Sequence, residues 1–111
     1  KYWFIENPRG MLRRQHFMPN GLRKTVTYCQ YGDNNQKPTD IWTNAQHWIP
    51  KKRCKAKDNC HTPSPRGTKT GIQGLMNAYE RAKIPGPLCN EIVNVCDNNT
   101  KEVQAYLCSE T

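Results

Sequence analysis

Acidic residues and long apolar runs are both scarce in this sequence. Nine Asp and Glu stand against 17 Lys and Arg, which gives a formal net charge of +8. No stretch approaches the roughly 18–20 consecutive apolar residues of a membrane span. Glu6, Asn7 and Pro8 interrupt the first ten residues, so we expect no signal peptide there. These deficits argue against a membrane protein and favour an anionic partner, because net positive charge is typical of nucleic-acid binders.

The chain is also short. Its 111 residues predict one domain, which is too small for most enzymes that combine a cofactor domain with a substrate domain. It begins at Lys1 rather than at Met, so we expect a fragment or a processed product. We divide it into a strand and hairpin part over 1–48, a basic loop over 49–71 and a helical part over 72–111.

Six cysteines allow two interpretations. An even number in a small chain is compatible with a secreted framework of three disulfides. Reduced thiols in the cytoplasm are the alternative, and we favour it because the helix-like C-terminal segments can build a core without cross-links. Three of the cysteines lie among apolar residues, where a free thiol acts as a small hydrophobic group; these are Cys89, Cys96 and Cys108.

The first half of the chain predicts short strands. Aromatic and β-branched residues at 2–5 indicate a buried strand that ends at the Glu-Asn-Pro sequence of 6–8. Residues 10–17 are compatible with one or two helical turns. Residues 25–29 and 39–43 are rich in β-formers, and we expect them to pair as a hairpin with a long tip.

The second half predicts helices. Apolar residues recur with helical spacing between Ile72 and Ala82, and again between Leu88 and Cys96 after the Pro-Gly-Pro sequence at 85–87. Pro87 fits the first turn of that second helix. A last helix is expected after Thr100, containing Val103, Tyr106 and Leu107.

Between these halves lies a basic segment without periodicity. Residues 51–69 hold seven basic residues and one acid, Asp58. An irregular stretch of this length is unusual in a compact domain unless it has a function or something fixes it in place. Lys and Arg clusters neutralise phosphates, so we expect DNA contacts here; the candidates are Lys51, Lys52, Arg53, Arg66 and Lys69.

The same loop carries candidate metal ligands. Cys54, Cys60 and His61 offer the sulfur and nitrogen donors that zinc prefers, and a metal ion would fix a loop that has little apolar surface to bury. A fourth ligand must come from elsewhere, and Cys29 and His47 are the candidates. A Cys54–Cys60 disulfide and free thiols remain alternatives.

Four segments, in order, resemble motifs of cytosine-5 DNA methyltransferases, most closely the short methylases of phages and prophages. They are Glu-Asn-Pro-Arg-Gly-Met-Leu-Arg at 6–13, Lys-Pro-Thr-Asp-Ile-Trp-Thr-Asn at 37–44, Pro-Arg-Gly-Thr at 65–68, and the segment 83–92 that contains Ile-Pro-Gly-Pro-Leu. The resemblance covers residues 2–95. It implies the C-terminal portion of a Rossmann-like α/β methyltransferase fold, with short strands, a hairpin, a basic irregular loop and two or three C-terminal helices.

The resemblance also implies site residues. Glu6 matches the acid that hydrogen-bonds the protonated ring nitrogen of the flipped cytosine, and Asn7 shapes the turn beside it. Arg9, Arg13, Arg14 and Lys37 would contact the DNA or the cytosine pocket. S-adenosylmethionine would be the cofactor of the whole enzyme, and double-stranded DNA its substrate.

Two parts of the family pattern are absent from these residues. The glycine-rich cofactor loop and the Pro-Cys nucleophile should both precede Glu6. Cys29 follows Glu6 and is preceded by Tyr28 instead of proline, so we interpret it as structural. We therefore expect a DNA-binding and base-pocket part that is inactive without a missing N-terminal half. A zinc-stabilised nucleic-acid-binding module without catalysis is the alternative, and a secreted disulfide protein is a third.

Overall fold

A computed structural model describes residues 1–55, 57–62 and 82–97, together with the backbone of 103–107. Its architecture is mixed α/β, as the sequence predicts. Strands β1 (Tyr2–Pro8), β2 (Arg23–Thr27), β3 (Pro38–Thr43) and β4 (Val103–Leu107) form one sheet, and the helix α1 spans Gly86–Asp97. Three short 3-10 helices connect the strands, at Leu12–Arg14, Asn20–Leu22 and Tyr28–Tyr31. The resemblance implies a more specific architecture, the C-terminal portion of a Rossmann-like fold, and that assignment stays a prediction.

The sheet has the order β2-β3-β1-β4. The expected hairpin is confirmed, since β2 pairs antiparallel with β3, with Thr25 opposite Asp40. Strand β3 also pairs antiparallel with β1, with Glu6 opposite Ile41. Strands β1 and β2 therefore end where β3 begins, and we call this the 8/27/38 end of the sheet.

Strand β1 is longer than expected. It continues through Asn7 and Pro8, where the sequence predicts a break and a turn. Successive N–H groups of a strand point to opposite sides, and Arg9 N donates to the Pro38 carbonyl of β3 at 2.9 Å. The nitrogen of Pro8 therefore faces the β4 side, where pairing reaches only to Glu6. The missing N–H of Pro8 therefore costs no sheet hydrogen bond, and β1 can continue through it. Because Asn7 lies inside this strand, the expectation that Asn7 shapes a turn is wrong.

One face of the sheet packs against α1. Phe4, Val26 and Ile41 lie in a buried cluster with Leu88 and Cys96 of the helix. Side chains two apart in a strand share a face, so these positions follow from the register.

The segment that leads into the basic loop is tied to α1. The Glu91 carboxylate accepts hydrogen bonds from the Trp48 indole at 2.8 Å and from the Tyr31 hydroxyl at 2.7 Å. The same Tyr31 oxygen accepts the backbone N–H of Lys51 at 2.8 Å. Helix α1 thus sets where the basic loop begins.

Two sequence expectations about elements need correction. The strand predicted over 25–29 ends at Thr27, and residues 28–31 form a 3-10 helix closed by Gly32 at φ +97°. The last predicted helix is wrong, because residues 103–107 form β4, parallel to β1. Strand β4 completes the sheet by pairing with the edge of β1 opposite to β3. The helix predicted from Ile72 to Ala82 falls almost wholly outside the described residues.

The helix over 88–96 is confirmed as α1, and Cys96 is buried in it as expected. Cys89 is exposed, so its assignment to the core is wrong, and Cys108 lies outside the described residues. Within the described part of the chain, no helix has the length and apolarity needed to cross a membrane.

Candidate metal centre and basic cleft

Four side chains from distant parts of the chain meet beside the 8/27/38 end of the sheet. Cys29 lies in the 3-10 helix that follows β2, while Cys54, Cys60 and His61 come from the basic loop. Two backbone N–H groups of the loop donate hydrogen bonds that hold it there. Cys54 N donates to the Thr27 hydroxyl at 3.0 Å, and Thr62 N donates to the Asn34 carbonyl at 2.8 Å.

The four donor atoms of this Cys/His cluster all lie within 4.8 Å of one another. The Cys29 sulfur is 3.1 Å from that of Cys54 and 3.4 Å from that of Cys60. His61 Nδ1 is 3.6 Å from the Cys54 sulfur and 3.5 Å from the Cys60 sulfur.

These distances fit a tetrahedral zinc ion. Bonds of about 2.3 Å to sulfur and about 2.0 Å to nitrogen give edges of about 3.8 Å between sulfurs and about 3.6 Å from sulfur to nitrogen. The edges to the imidazole match, and the Cys29 sulfur needs to move away from the Cys54 and Cys60 sulfurs by about 0.7 and 0.4 Å. A disulfide needs about 2.05 Å, so the described cysteines are free thiols.

The structure shows which of the two candidates for the fourth ligand lies in the cluster. Cys29 joins the cluster, as one alternative predicts. His47 lies elsewhere, with its ring 5.3 Å from that of Tyr2 and a ring nitrogen 3.4 Å from the Val95 carbonyl. Sequence spacing could not decide this, because the fold brings Cys29 to Cys54 across a separation of 25 residues.

The thiols sit in unequal environments. Burial and then the hydrogen bonds to Cys54 and Cys60 raise the pKa of Cys29 to about 12. Burial also acts to raise the pKa of Cys54, but hydrogen bonds from Cys29, Thr27 and Cys60 outweigh it and lower that pKa. The Gln30 amide lies 3.6 Å from the Cys60 sulfur and can donate to it. Donors around a thiolate are the usual outer shell of a metal site.

Glu6 is a buried carboxyl near the end of β1, with 6% of its surface exposed. The Tyr28 hydroxyl donates to its Oε2 at 2.8 Å. Burial raises the pKa of Glu6, while the Tyr28 hydrogen bond and the nearby positive charge of Lys37 partly oppose that rise. The protonated form is thereby favoured, and a protonated carboxyl can donate a hydrogen bond as well as accept one.

Lys37 is the residue directly before β3. Its φ of +35° lies in the left-handed region, which non-glycine residues adopt at a cost. Its ammonium lies 5.2 Å from the centre of the Tyr28 ring. Lys37 thus belongs to the surroundings of Glu6. Asn7 points to the opposite face, where it lies across from Asp40.

The remaining predicted DNA contacts have different positions. Arg13 forms a two-point ion pair with the buried carboxylate of Asp40, at 2.8 and 2.9 Å, so its guanidinium is already engaged. Arg14 is exposed. Arg66 and Lys69 lie outside the described residues.

A cleft of about 550 Å³ opens next to the Cys/His cluster, which contributes Cys54 to its wall. Four cationic side chains line it: Arg9, Lys52, Arg53 and Lys55. Lys51 lies apart from the cleft, with its ammonium 5.2 Å from the Tyr31 ring.

Tyr28 is not singled out by the sequence, and Lys55 counts there only as one of the seven basic residues of the loop. In the sequence Tyr28 fits the β-forming pattern of the residues before it. Its hydrogen bond to Glu6 becomes visible only when β1 and β2 are both placed beside β3. Lys55 could have been selected from its place next to Cys54.

The chain matches no family model, no curated protein and no solved structure.

Proposed function

We propose that this chain is the DNA-binding and base-pocket part of a phage-type DNA cytosine methyltransferase, and that a zinc ion holds its basic loop. The resemblance of four segments to methyltransferase motifs supports the choice of this family. What the geometry adds is a shared location, since Glu6, Lys37, the Cys/His cluster and the basic cleft all lie around the 8/27/38 end of the sheet. This end of the sheet joins the carboxyl ends of β1 and β2 to the start of β3.

The observation that carries this proposal is the environment of Glu6. Cytosine is a poor electrophile, and the reaction needs an acid that holds a proton against the ring nitrogen as negative charge develops. Glu6 is buried, its pKa is raised, and Tyr28 holds one carboxyl oxygen. The carboxyl of Glu6 therefore keeps a proton to higher pH than the carboxyl of a surface glutamate does. The environment of Glu6 suits the acid role.

Zinc has a structural part in this proposal. Four protein ligands leave no open coordination position, as is usual for structural rather than catalytic zinc. Zinc bound there would fix the loop from Cys54 to His61 against Cys29, and so fix the basic residues beside it. Thiol ligands must stay reduced, which fits a cytoplasmic protein.

The rest of the reaction belongs to a part that we propose lies upstream. It would supply the nucleophilic cysteine and most of the site for S-adenosylmethionine, the methyl donor. Within this chain, Glu6 would contact the flipped cytosine and the basic loop would contact the backbone of double-stranded DNA.

Methyl transfer tests this proposal directly. The chain alone should transfer no methyl group from S-adenosylmethionine to a cytosine-containing duplex. Joined to its upstream part it should be active, and Glu6→Gln should lower the rate by about 10²-fold or more, the scale of a lost acid. Asp97→Asn, which changes an exposed acid at the end of α1, is the matched control and should keep the parent rate. Methylation by the 111-residue chain alone, or full activity of Glu6→Gln, would contradict the proposal.

The Cys/His cluster favours one second candidate, a zinc-stabilised nucleic-acid-binding module without catalysis. It predicts one zinc per chain in native mass spectrometry and binding to DNA, but no methyl transfer whichever upstream segment is added. In that case Glu6→Gln would leave DNA affinity unchanged and alter only stability.

A further inference from the structure

The cations that line the cleft beside the Cys/His cluster come from two separate parts of the chain. Arg9 comes directly after β1, and Lys52, Arg53 and Lys55 come from the loop more than 40 residues later. Among the described residues, no acid lines the cleft. The fold brings Arg9 to three cations that are already neighbours in the sequence.

Both walls of the cleft are held by hydrogen bonds. On one side the Arg9 N–H donates to Pro38 of β3 at 2.9 Å, which fixes the backbone that carries the arginine. On the other side the Cys54 N–H donates to Thr27 at 3.0 Å, at the last residue of β2. Cys54 is also a member of the Cys/His cluster, so a bound metal would anchor the same wall.

The charges in the cleft are not neutralised within the described part of the chain. None of the four cationic side chains forms an ion pair there, whereas Arg13 does so with Asp40. Like charges gathered at one place repel one another, and a bound anion would remove that repulsion. Arg9 and Arg53 bring planar guanidinium groups, which bind phosphate oxygens through two parallel hydrogen bonds.

We infer that this cleft is a binding site for a phosphate group, and that in the assembled protein the phosphate belongs to the backbone of a DNA strand. The inference deepens the proposed function, on which the choice of DNA rests; the phosphate chemistry rests on the cleft alone. The volume of about 550 Å³ accepts a phosphodiester together with its adjoining sugars. Arg9 is the residue to test, because among the described residues it is the one cation on the cleft wall that does not come from the basic loop.

The test compares two arginines in the zinc-loaded chain. Arg9→Gln removes a cation from the cleft. Arg23→Gln removes one at the start of β2, at the opposite end of that strand, where the arginine bonds only Asn20 among the contacts described. Affinity for a fluorescein-labelled duplex is measured by anisotropy over a range of salt concentrations. Binding of inorganic phosphate is followed by the NMR shift of the Arg9 side-chain N–H.

We expect Arg9→Gln to weaken duplex binding about 5- to 10-fold and to reduce the salt slope by about 0.9, the value for one phosphate contact. Arg23→Gln should change neither by more than a small fraction of that. Equal effects of the two variants, with duplex binding retained, would overturn the cleft and leave the proposed function standing. A saturable shift of Arg9 with inorganic phosphate but no duplex binding would support the cleft and contradict the DNA function. Absence of both would overturn the site.

Discussion

At the scale of a single residue, Glu6 makes the stability of the folded chain depend on pH. Burial raises its pKa, so the folded chain holds a proton on this carboxyl at pH values where the unfolded chain has released it. The contribution of Glu6 to stability is therefore complete below its ordinary pKa of 4.5 and is lost as the pH rises through its raised value in the folded state.

Glu6→Gln should remove this pH dependence. Glutamine keeps the shape and an oxygen that can accept from Tyr28, but it never ionises. We expect the variant to match the parent in thermal stability below pH 4.5 and to exceed it as the pH rises through the raised pKa of Glu6, measured by circular dichroism of both chains. The gain in stability would accompany the loss of activity, as is common where a functional site carries a destabilising group.

A stability difference between Glu6→Gln and the parent that stays constant with pH would contradict the assignment of a raised pKa to Glu6.

Arg13 illustrates how a residue that is plausible from sequence acquires a different role in the fold. Its position in the Glu-Asn-Pro segment predicts a DNA contact. In the structure it neutralises Asp40, which is fully buried in β3, and it also donates to the Thr25 hydroxyl at 3.2 Å. Removing one partner of a buried ion pair leaves a charge without compensation, so Arg13 contributes to the stability of the sheet.

At the scale of elements, the basic loop depends on the Cys/His cluster. A metal chelator should speed the hydrogen exchange of the Cys54 and Thr62 amides, because their bonds to Thr27 and Asn34 hold the loop in place. The β3 amides should stay protected. Cys60→Ser should reproduce the effect of the chelator, as measured by hydrogen exchange and mass spectrometry.

The matched variant is Cys89→Ser, which changes an exposed thiol on α1 outside the cluster and should exchange like the parent. If the chelator leaves the exchange of Cys54 and Thr62 unaltered, the loop is not held by a metal ion.

The elements differ in how far the sequence predicts them. The strands β2 and β3 and the helix α1 carry their own periodic patterns, and each is confirmed within a few residues. Strand β4 is different, because a five-residue segment takes its conformation from the edge of β1 with which it pairs. The continuation of β1 through Pro8 has the same origin, since it depends on which neighbour the proline nitrogen faces.

The site follows the same division. Cys54, Cys60 and His61 are close in sequence and were predictable as a group from the chemistry of their donors. The choice of Cys29 over His47, the bond from Tyr28 to Glu6 and the meeting of Arg9 with the loop cations all need the register of the sheet. Pairings across 20 or more residues leave no local pattern in the sequence.

At the scale of the whole molecule, the charge of +8 is unevenly distributed. Residues 51–69 contain seven basic residues and one acid, and the described part of that segment lies beside the Cys/His cluster. A uniformly basic surface would attract DNA weakly and without a preferred geometry. A fixed basic loop should instead neutralise a definite number of phosphates.

The central claim is that the fixed basic loop binds the phosphate backbone of DNA. Its most direct test is the dependence of duplex affinity on salt concentration, measured by anisotropy for the zinc-loaded chain. If four to six of the seven loop cations contact phosphates, the slope of log K against log salt should be roughly −4 to −5. Replacing the three loop cations of the cleft, Lys52, Arg53 and Lys55, together with alanine should flatten that slope by about two to three units. A slope near zero, or one that the triple replacement leaves unchanged, would contradict the account.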